Sequence, residues 1–199
     1  MGEFKMATKV IKGFSHLTAF PVTKNTSEAY AVGDKVAIPG AIKCTMEPKI
    51  SEYTLWADDG KYEYGSNIEG FDMTLEIAEA TQTIKKLFEG GTITDDDEYE
   101  TKSTDLAPEN ALTFAVLQAD NTYKMVKLYA TKAEIIGINA TTKGENVEFQ
   151  TLTVKIAVSE RKIDHVIKTE KDADTVDDLD WLDTIDALPV VPPTSGSGS

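Results

Sequence analysis

Few residues of this chain belong to the types that do chemistry, and their spacing argues against most reactions. There are two histidines, His16 and His165, and one cysteine, Cys44. Both histidines fall on or near segments that read as extended. A Ser-His-Asp triple can be assembled by chance from almost any chain of this size, so neither histidine is assigned a catalytic role. A lone cysteine closes no disulfide within the chain, which suits a reducing compartment, and Cys44 reads as a small strand residue. No His/Cys spacing suits zinc. No glycine-rich phosphate loop of the Walker or dinucleotide-binding kind occurs. Asp172, Asp174, Asp177, Asp178 and Asp180 offer oxygens to a calcium ion, but the run lacks the loop glycine and the closing glutamate of a helix-loop-helix site. Asp58-Asp59 is followed at once by Gly60, which reads as a hairpin turn rather than a metal pair. The expectation is a protein with no catalytic, cofactor-binding or metal site, and not an enzyme.

What surrounds that turn is more informative. Tyr53, Trp56, Tyr62 and Tyr64 flank it within two extended runs. Alternation along a strand sends neighbouring side chains to opposite faces, so one core cannot hide all four. The surplus suits a subunit contact, where Tyr and Trp give large area at low entropic cost.

The elements that position these residues are mostly strands. Residues 71–78 alternate, with Phe71, Met73, Leu75 and Ile77 on one side and Asp72, Thr74 and Glu76 on the other, the period of a half-buried strand. Residues 14–23 read as a strand with Phe14, His16, Thr18 and Phe20 on one face, and Pro21 demotes it to an edge or a strand end. Short extended pieces at 35–38 and 41–46 are separated by Pro39-Gly40. Residues 24–33 and the acidic stretch reaching to Asn110 read as long polar loops. One helix is expected over 81–89. Its Ile84, Leu87 and Phe88 share a face, Thr81 is placed to cap it, and Gly90-Gly91 ends it. Strands at 112–118, 122–130, 134–142 and 147–158 follow at short spacing, the last two as a protruding hairpin. Many short strands with one helix predict a mainly β protein, an antiparallel β-sandwich or barrel with one flanking α-helix.

The chain of 199 residues carries 20 Lys and Arg against 34 Asp and Glu, a formal net charge of -14. Such a charge repels polyanions and argues against reading nucleic acid through phosphate contacts. No apolar run reaches 18 residues, so no transmembrane helix is expected. Residues 1–7 read as vector-derived or as an N-terminal arm, 8–168 as the β domain, 169–194 as an acidic C-terminal extension and 195–199 as a linker-like tail. The extension has two readings: a solvated acidic tail, or an arm that lays its Trp181, Leu182 and Ile185 on a neighbouring subunit.

The order Ser51-Glu52-Tyr53-Thr54-Leu55-Trp56-Ala57-Asp58-Asp59-Gly60, then Gly70-Phe71-Asp72-Met73-Thr74-Leu75-Glu76-Ile77, then a helix closed by Gly90-Gly91, resembles the major tail tube proteins of long-tailed, siphovirus-type phages and prophages of Gram-positive bacteria. The likeness spans residues 8–160 and rests on order and spacing. It implies a tail-tube-like β domain that forms hexameric rings stacking into a tube, a conduit for DNA ejection. DNA would pass through without specific binding. The implied partners are further copies of the chain, a tape-measure protein and tail-terminator or baseplate proteins, with no cofactor and no membrane, and the implied location is the virion tail. On this likeness Tyr53, Trp56, Asp58 and Asp59 are expected at inter-subunit contacts and Glu148 and Gln150 facing the lumen; the acidic extension departs from the family pattern, and Trp181 is expected at an inter-subunit contact only through the reading of that extension as an arm. Segments 24–33 and 92–110 become bridging loops, 134–158 a lumen or inter-subunit hairpin, and the helix would pack on the outside of a sheet. The alternative is a monomeric β-sandwich binding module, of adhesin or carbohydrate-binding type, stacking sugar on Tyr53, Trp56, Tyr62 and Tyr64. A hydrolase on a β-scaffold has the least support.

Overall fold

The computed structural model describes residues 10–57, 60–79, 81–134, 136 and 151–188, apart from the side chains of residues 54–64. The chain lays down β1 (Ile11–Asn25), β2 (Tyr30–Val32), β3 (Val36–Ala37), β4 (Ala41–Ala57) and β5 (Gly60–Ile77) before helix α1 (Gln82–Glu89). Two-residue strands β6 (Thr92–Ile93) and β7 (Tyr99–Glu100) follow. Then come β8 (Glu109–Gln118), β9 (Tyr123–Ala133), β10 (Leu152–Ser159), β11 (Lys168–Ala173) and a 3-10 helix over Val176–Asp183. The protein is mainly β and its described strand pairs are antiparallel. The principal sheet runs β2-β1-β8-β9-β10-β5-β4, with β3 also on β1 and β11 also on β9.

Apolar residues at every second position give the strands of this sheet a shared inward face. Met73, Leu75 and Ile77 of β5, Val154, Ile156 and Val158 of β10, Leu112 and Phe114 of β8, and Val126 and Leu128 of β9 form one cluster. Each such side chain contributes about 1.5–3 kcal/mol on full burial. Phe14 of β1 and Cys44 and Met46 of β4 pack against the same cluster, although β1 and β4 are far apart in strand order. The sheet therefore curls round its core. It does not close: β1 and β4 exchange no ladder bonds, and an opening of about 390 Å³ lies between Ile11, Gly13 and Phe14 on one side and Cys44 and Met46 on the other. The barrel expectation is thus corrected to an open, curled sheet.

The helix follows its sequence signals. Thr81 Oγ1 accepts from Ile84 N at 3.3 Å, and Gly90 ends the helix at φ 81, the left-handed conformation that glycine adopts without strain. A Cβ on Gly90 would also press on the Leu106 carbonyl. Ile84, Leu87 and Phe88 join the main cluster, so α1 packs on the inward face of the sheet rather than outside it.

Three expectations are corrected by local physics. In β1 the ladder to β8 slips between Ser15 and Thr18, and His16 has φ 56, so the strand bulges. Beyond the bulge the phase reverses: Leu17 and Ala19 join Phe14 at the main core, and Phe20 turns to a second cluster. Segment 24–33 is a tight hairpin rather than a loop. Thr26 Oγ1 accepts from Ala29 N at 3.1 Å at its turn, and Tyr30 is fully buried. Segment 92–110 is shortened by the β6–β7 pair, whose turn is tied by Thr94 Oγ1 accepting from Glu98 N at 3.1 Å.

The acidic extension is folded, which corrects the solvated-tail reading. β9 divides its second edge, giving Ala130–Ala133 to β10 and Tyr123–Leu128 to β11. The 3-10 helix then crosses the outer face of β8 and β9. Leu179 and Leu182 cluster with Ala115, Met125 and Ala173, and Ile185 with Phe20, Tyr30, Ala111 and Tyr129. Thr113 Oγ1 donates to Leu182 O at 2.9 Å, and Lys127 Nζ to Thr184 O at 2.6 Å. Three-residue spacing puts the apolar side chains Leu179, Leu182 and Ile185 on one side while Asp177, Asp180 and Asp183 stay exposed.

Candidate functional site

The residues able to do chemistry lie apart from one another, each with a local partner or a buried setting. His16 Nδ1 lies 3.0 Å from Ser15 Oγ and His165 Nδ1 lies 3.0 Å from Glu160 Oε1, both exposed. His16 sits at the β1 bulge, and His165 in a tight turn at φ 58. Burial pushes the Cys44 thiol up to about 11, so it is protonated at neutral pH and a poor nucleophile. Asp178 accepts from Thr175 N and Thr175 Oγ1 at 3.3 and 3.0 Å, closing the first turn of the 3-10 helix. Among the described residues no three His, Cys, Asp or Glu side chains are grouped to hold a metal ion, and no helix is long and apolar enough to cross a membrane.

The most distinctive geometry is the β4–β5 pair. The ladder from β10 to β5 ends at Val158 opposite Phe71. From Lys49 opposite Gly70 to Ala57 opposite Gly60, β4 and β5 pair only with each other among the described residues. Eight residue steps make this ribbon about 25 Å long. Its departure point needs glycine, because a Cβ on Gly70 would collide with the Val158 carbonyl. At its base Ile50 stands opposite Ile68, with 51% and 58% of their surfaces exposed. Tyr53 stands opposite Gly65 and its ring lies where a Gly65 Cβ would be, shielding the glycine backbone. A two-stranded ribbon with exposed isoleucines is marginally stable alone in water, and its free edges are templates for another chain.

A second surface lies where none of the described residues covers the sheet. On the outer side of β4, β5 and β10, Lys43 stands opposite Glu76, Thr45 opposite Thr74, and Glu47 opposite Asp72. Thr153, Lys155 and Ala157 of β10 continue these rows opposite Glu76, Thr74 and Asp72. The face is polar and of mixed charge. The outer side of β8 and β9, in contrast, is buried under the 3-10 helix.

The expected contact residues are distributed as follows. Tyr53 is on the ribbon, half exposed at 50%. Trp56 is on the same ribbon opposite Lys61, and its side chain lies outside the described residues. So do Asp58 and Asp59 at the turn, and Glu148 and Gln150 with most of the 134–158 hairpin. Trp181 is not on the ribbon: it is half buried, with Lys127 Nζ 3.9 Å above its ring, so it is engaged within its own chain. Sequence reasoning missed Ile50 and Ile68, two branched residues in polar runs, and missed Lys127, an isolated lysine in an apolar strand. It also missed Arg161, whose guanidinium stacks 4.0 Å from the Tyr129 ring centre and grips Asp164 at 2.9 and 2.6 Å. The sequence matches no protein-family model and no curated protein.

Proposed function

We propose that this chain is a structural subunit of a phage tail tube, a protein that assembles with copies of itself into stacked hexameric rings and has no reaction of its own. The observation that carries the reading is the β4–β5 ribbon, a long pair of strands with an exposed isoleucine pair whose edges meet no other strand among the described residues. Its natural partner is another subunit. Further support comes from the mainly β antiparallel sheet, from the uncovered polar face of β4, β5 and β10 as the wall of a duct, and from the net charge of -14, which keeps DNA from sticking as it slides past. In this role the protein resides in the virion tail, and its other partners are a tape-measure protein and the terminator or baseplate proteins at the tube ends.

Negative-stain electron microscopy over a concentration series, with residues 195–199 removed, tests the reading. Sixfold rings or tubes with a central hole are expected. Monomers at every concentration, together with a positive glycan screen, would replace it with the sugar-binding module.

A further inference from the structure

The seam where the curled sheet fails to close has the features of a small binding site. The opening of about 390 Å³ between β1 and β4 is walled by Phe14, Phe114, Val116, Val126 and Met46. Its volume is within the about 300–1,000 Å³ range of pockets that enclose a compact ligand. Phe14 and Phe114 meet edge to face at 5.3 Å and form its aromatic wall. Walls of this kind shed water and take up small apolar molecules. One buried polar side chain faces the same space. Gln118 lines the opening and is 2% exposed. Its Oε1 accepts from Thr122 Oγ1 at 3.1 Å. Its Nε2 has no partner among the described residues and is not sealed from the opening. A buried donor in that condition calls for an acceptor.

Lys124 adds a second donor. It lines the opening and stands opposite Val116, which makes it a diagonal neighbour of Gln118 across the β8–β9 pair. Its charge is already met. Lys124 Nζ lies 3.5 Å from Glu170 Oε2, Asp172 stands opposite Lys124, and Glu170 Oε1 accepts from Lys168 Nζ at 2.7 Å. Two lysines thus face two carboxylates, and the whole chain carries a formal -14, so an anionic ligand gains nothing here. We propose that the β1–β4 opening binds a small, uncharged, apolar carbonyl compound: a ketone, ester or amide. Its ring or chain lies against Phe14, Phe114 and Met46. Its oxygen accepts from Gln118 Nε2, with Lys124 Nζ beside it. The ligand supplies packing where β1 and β4 exchange no ladder bonds, and so braces the seam. The site stands independently of self-assembly, because its residues belong to the body of one chain and none to the ribbon beyond Lys49.

Acetophenone, ethylbenzene and benzoate test it on the whole chain, because the three are similar in size and differ in acceptor and charge. Titration calorimetry is expected to give saturable one-to-one binding of acetophenone, with a dissociation constant of about 1 mM or lower, and benzoate about tenfold weaker. Saturating acetophenone is expected to slow alkylation of Cys44, which lines the same opening, and to raise the melting temperature. Gln118→Met keeps the length of the side chain and removes its amide. It is expected to weaken acetophenone about fivefold, the worth of one neutral hydrogen bond, and to leave ethylbenzene unweakened. Met46→Trp fills the opening and is expected to abolish binding of both. A cooperative melting transition checks the fold of each variant. Should Gln118→Met not fold, Lys124→Met, at a half-exposed position, is expected to shift the same preference in the same direction. The proposal is overturned if acetophenone shows no saturable binding, if benzoate binds more tightly, or if the folded variants leave the preference for acetophenone over ethylbenzene unchanged. It is also overturned if binding survives Met46→Trp with Cys44 unshielded. Binding that appears only when residues 1–9 are removed would make the chain's own N-terminal segment the occupant, and overturns it too.

Discussion

Arg161 holds together three parts of the chain that the sequence separates. It is 7% exposed, it grips Asp164 with two hydrogen bonds, and it stacks on Tyr129 with Tyr30 beyond, whose hydroxyl donates to Tyr129 O at 2.7 Å. Lysine cannot supply the planar fork or the stack, so Arg161→Lys should cost about 2–3 kcal/mol in urea unfolding, close to the cost of Arg161→Ala. A near-neutral Arg161→Lys would show that charge alone matters there. The Arg161 hydrogen bond holds the Asp164 carboxyl below its ordinary value of 3.8, against the opposing effect of its partial burial. A depressed carboxylate stabilises the fold above the unfolded value and loses that contribution as pH falls through the folded one. Unfolding from pH 5 down to pH 2 should therefore weaken the unmodified protein more than Asp164→Asn, and parallel curves would refute the assignment. For Cys44, a thiol raised from 9.0 to about 11 holds about 100-fold less thiolate at neutral pH. Alkylation by iodoacetamide should be slower by about that factor in the folded protein than in urea, and equal rates would mean that the thiol is reached through the β1–β4 opening and is not held protonated by burial.

At the scale of elements, the ribbon is separable from the body that carries it. The body's ladder, core and helix lie on the near side of Gly70, so replacing residues 51–67 by an Asn-Gly turn between the opposed Ile50 and Ile68 should leave a folded monomer. Its melting temperature should stay within about 3 °C of the original, roughly what a 1 kcal/mol change produces in a domain of this size, and light scattering should detect no assembly. Loss of folding would mean that the ribbon is part of the core. Deleting 24–33 should behave oppositely, because it removes the buried Tyr30 and the hairpin that carries it. These contrasts mark what the sequence made legible. Strand β5 and helix α1 were readable because each carries an uninterrupted period, with Thr81 and Gly90 as punctuation. The phase of β1 was not, because one extra residue at His16 inverts the alternation without any change in composition. The fold of the acidic extension was hidden in the same way: its charge pattern reads as solvated, and the reason it docks lies in Ala111, Thr113, Ala115 and Met125, more than fifty residues earlier. Of the proposed contact surface, the aromatic turn was visible and the exposed Ile50–Ile68 pair was not, since their opposition appears only once β4 and β5 are paired.

For the whole molecule the decisive quantity is charge. Each copy carries a formal -14, and in the proposed assembly bringing copies together sets like fields against the short-range contacts of the ribbon. Long-range repulsion is the more sensitive of the two to salt, because the Debye length shrinks from about 30 Å at 0.01 M to about 8 Å at 0.15 M, whereas charges in direct contact are screened less. Raising sodium chloride across that range should therefore lower the concentration at which assembly begins, read by light scattering or sedimentation. The same charge predicts that duplex DNA is not retarded at physiological salt, since no cation excess exists to release its counterions. The two results belong together. In the proposed tube, a wall that repels DNA would be built from subunits that repel one another, and ions from the medium would relieve both. If assembly instead weakens steadily with salt, the subunits must be joined mainly by opposed charges across their interfaces. The isoleucine pair would then lose its proposed place as the source of cohesion.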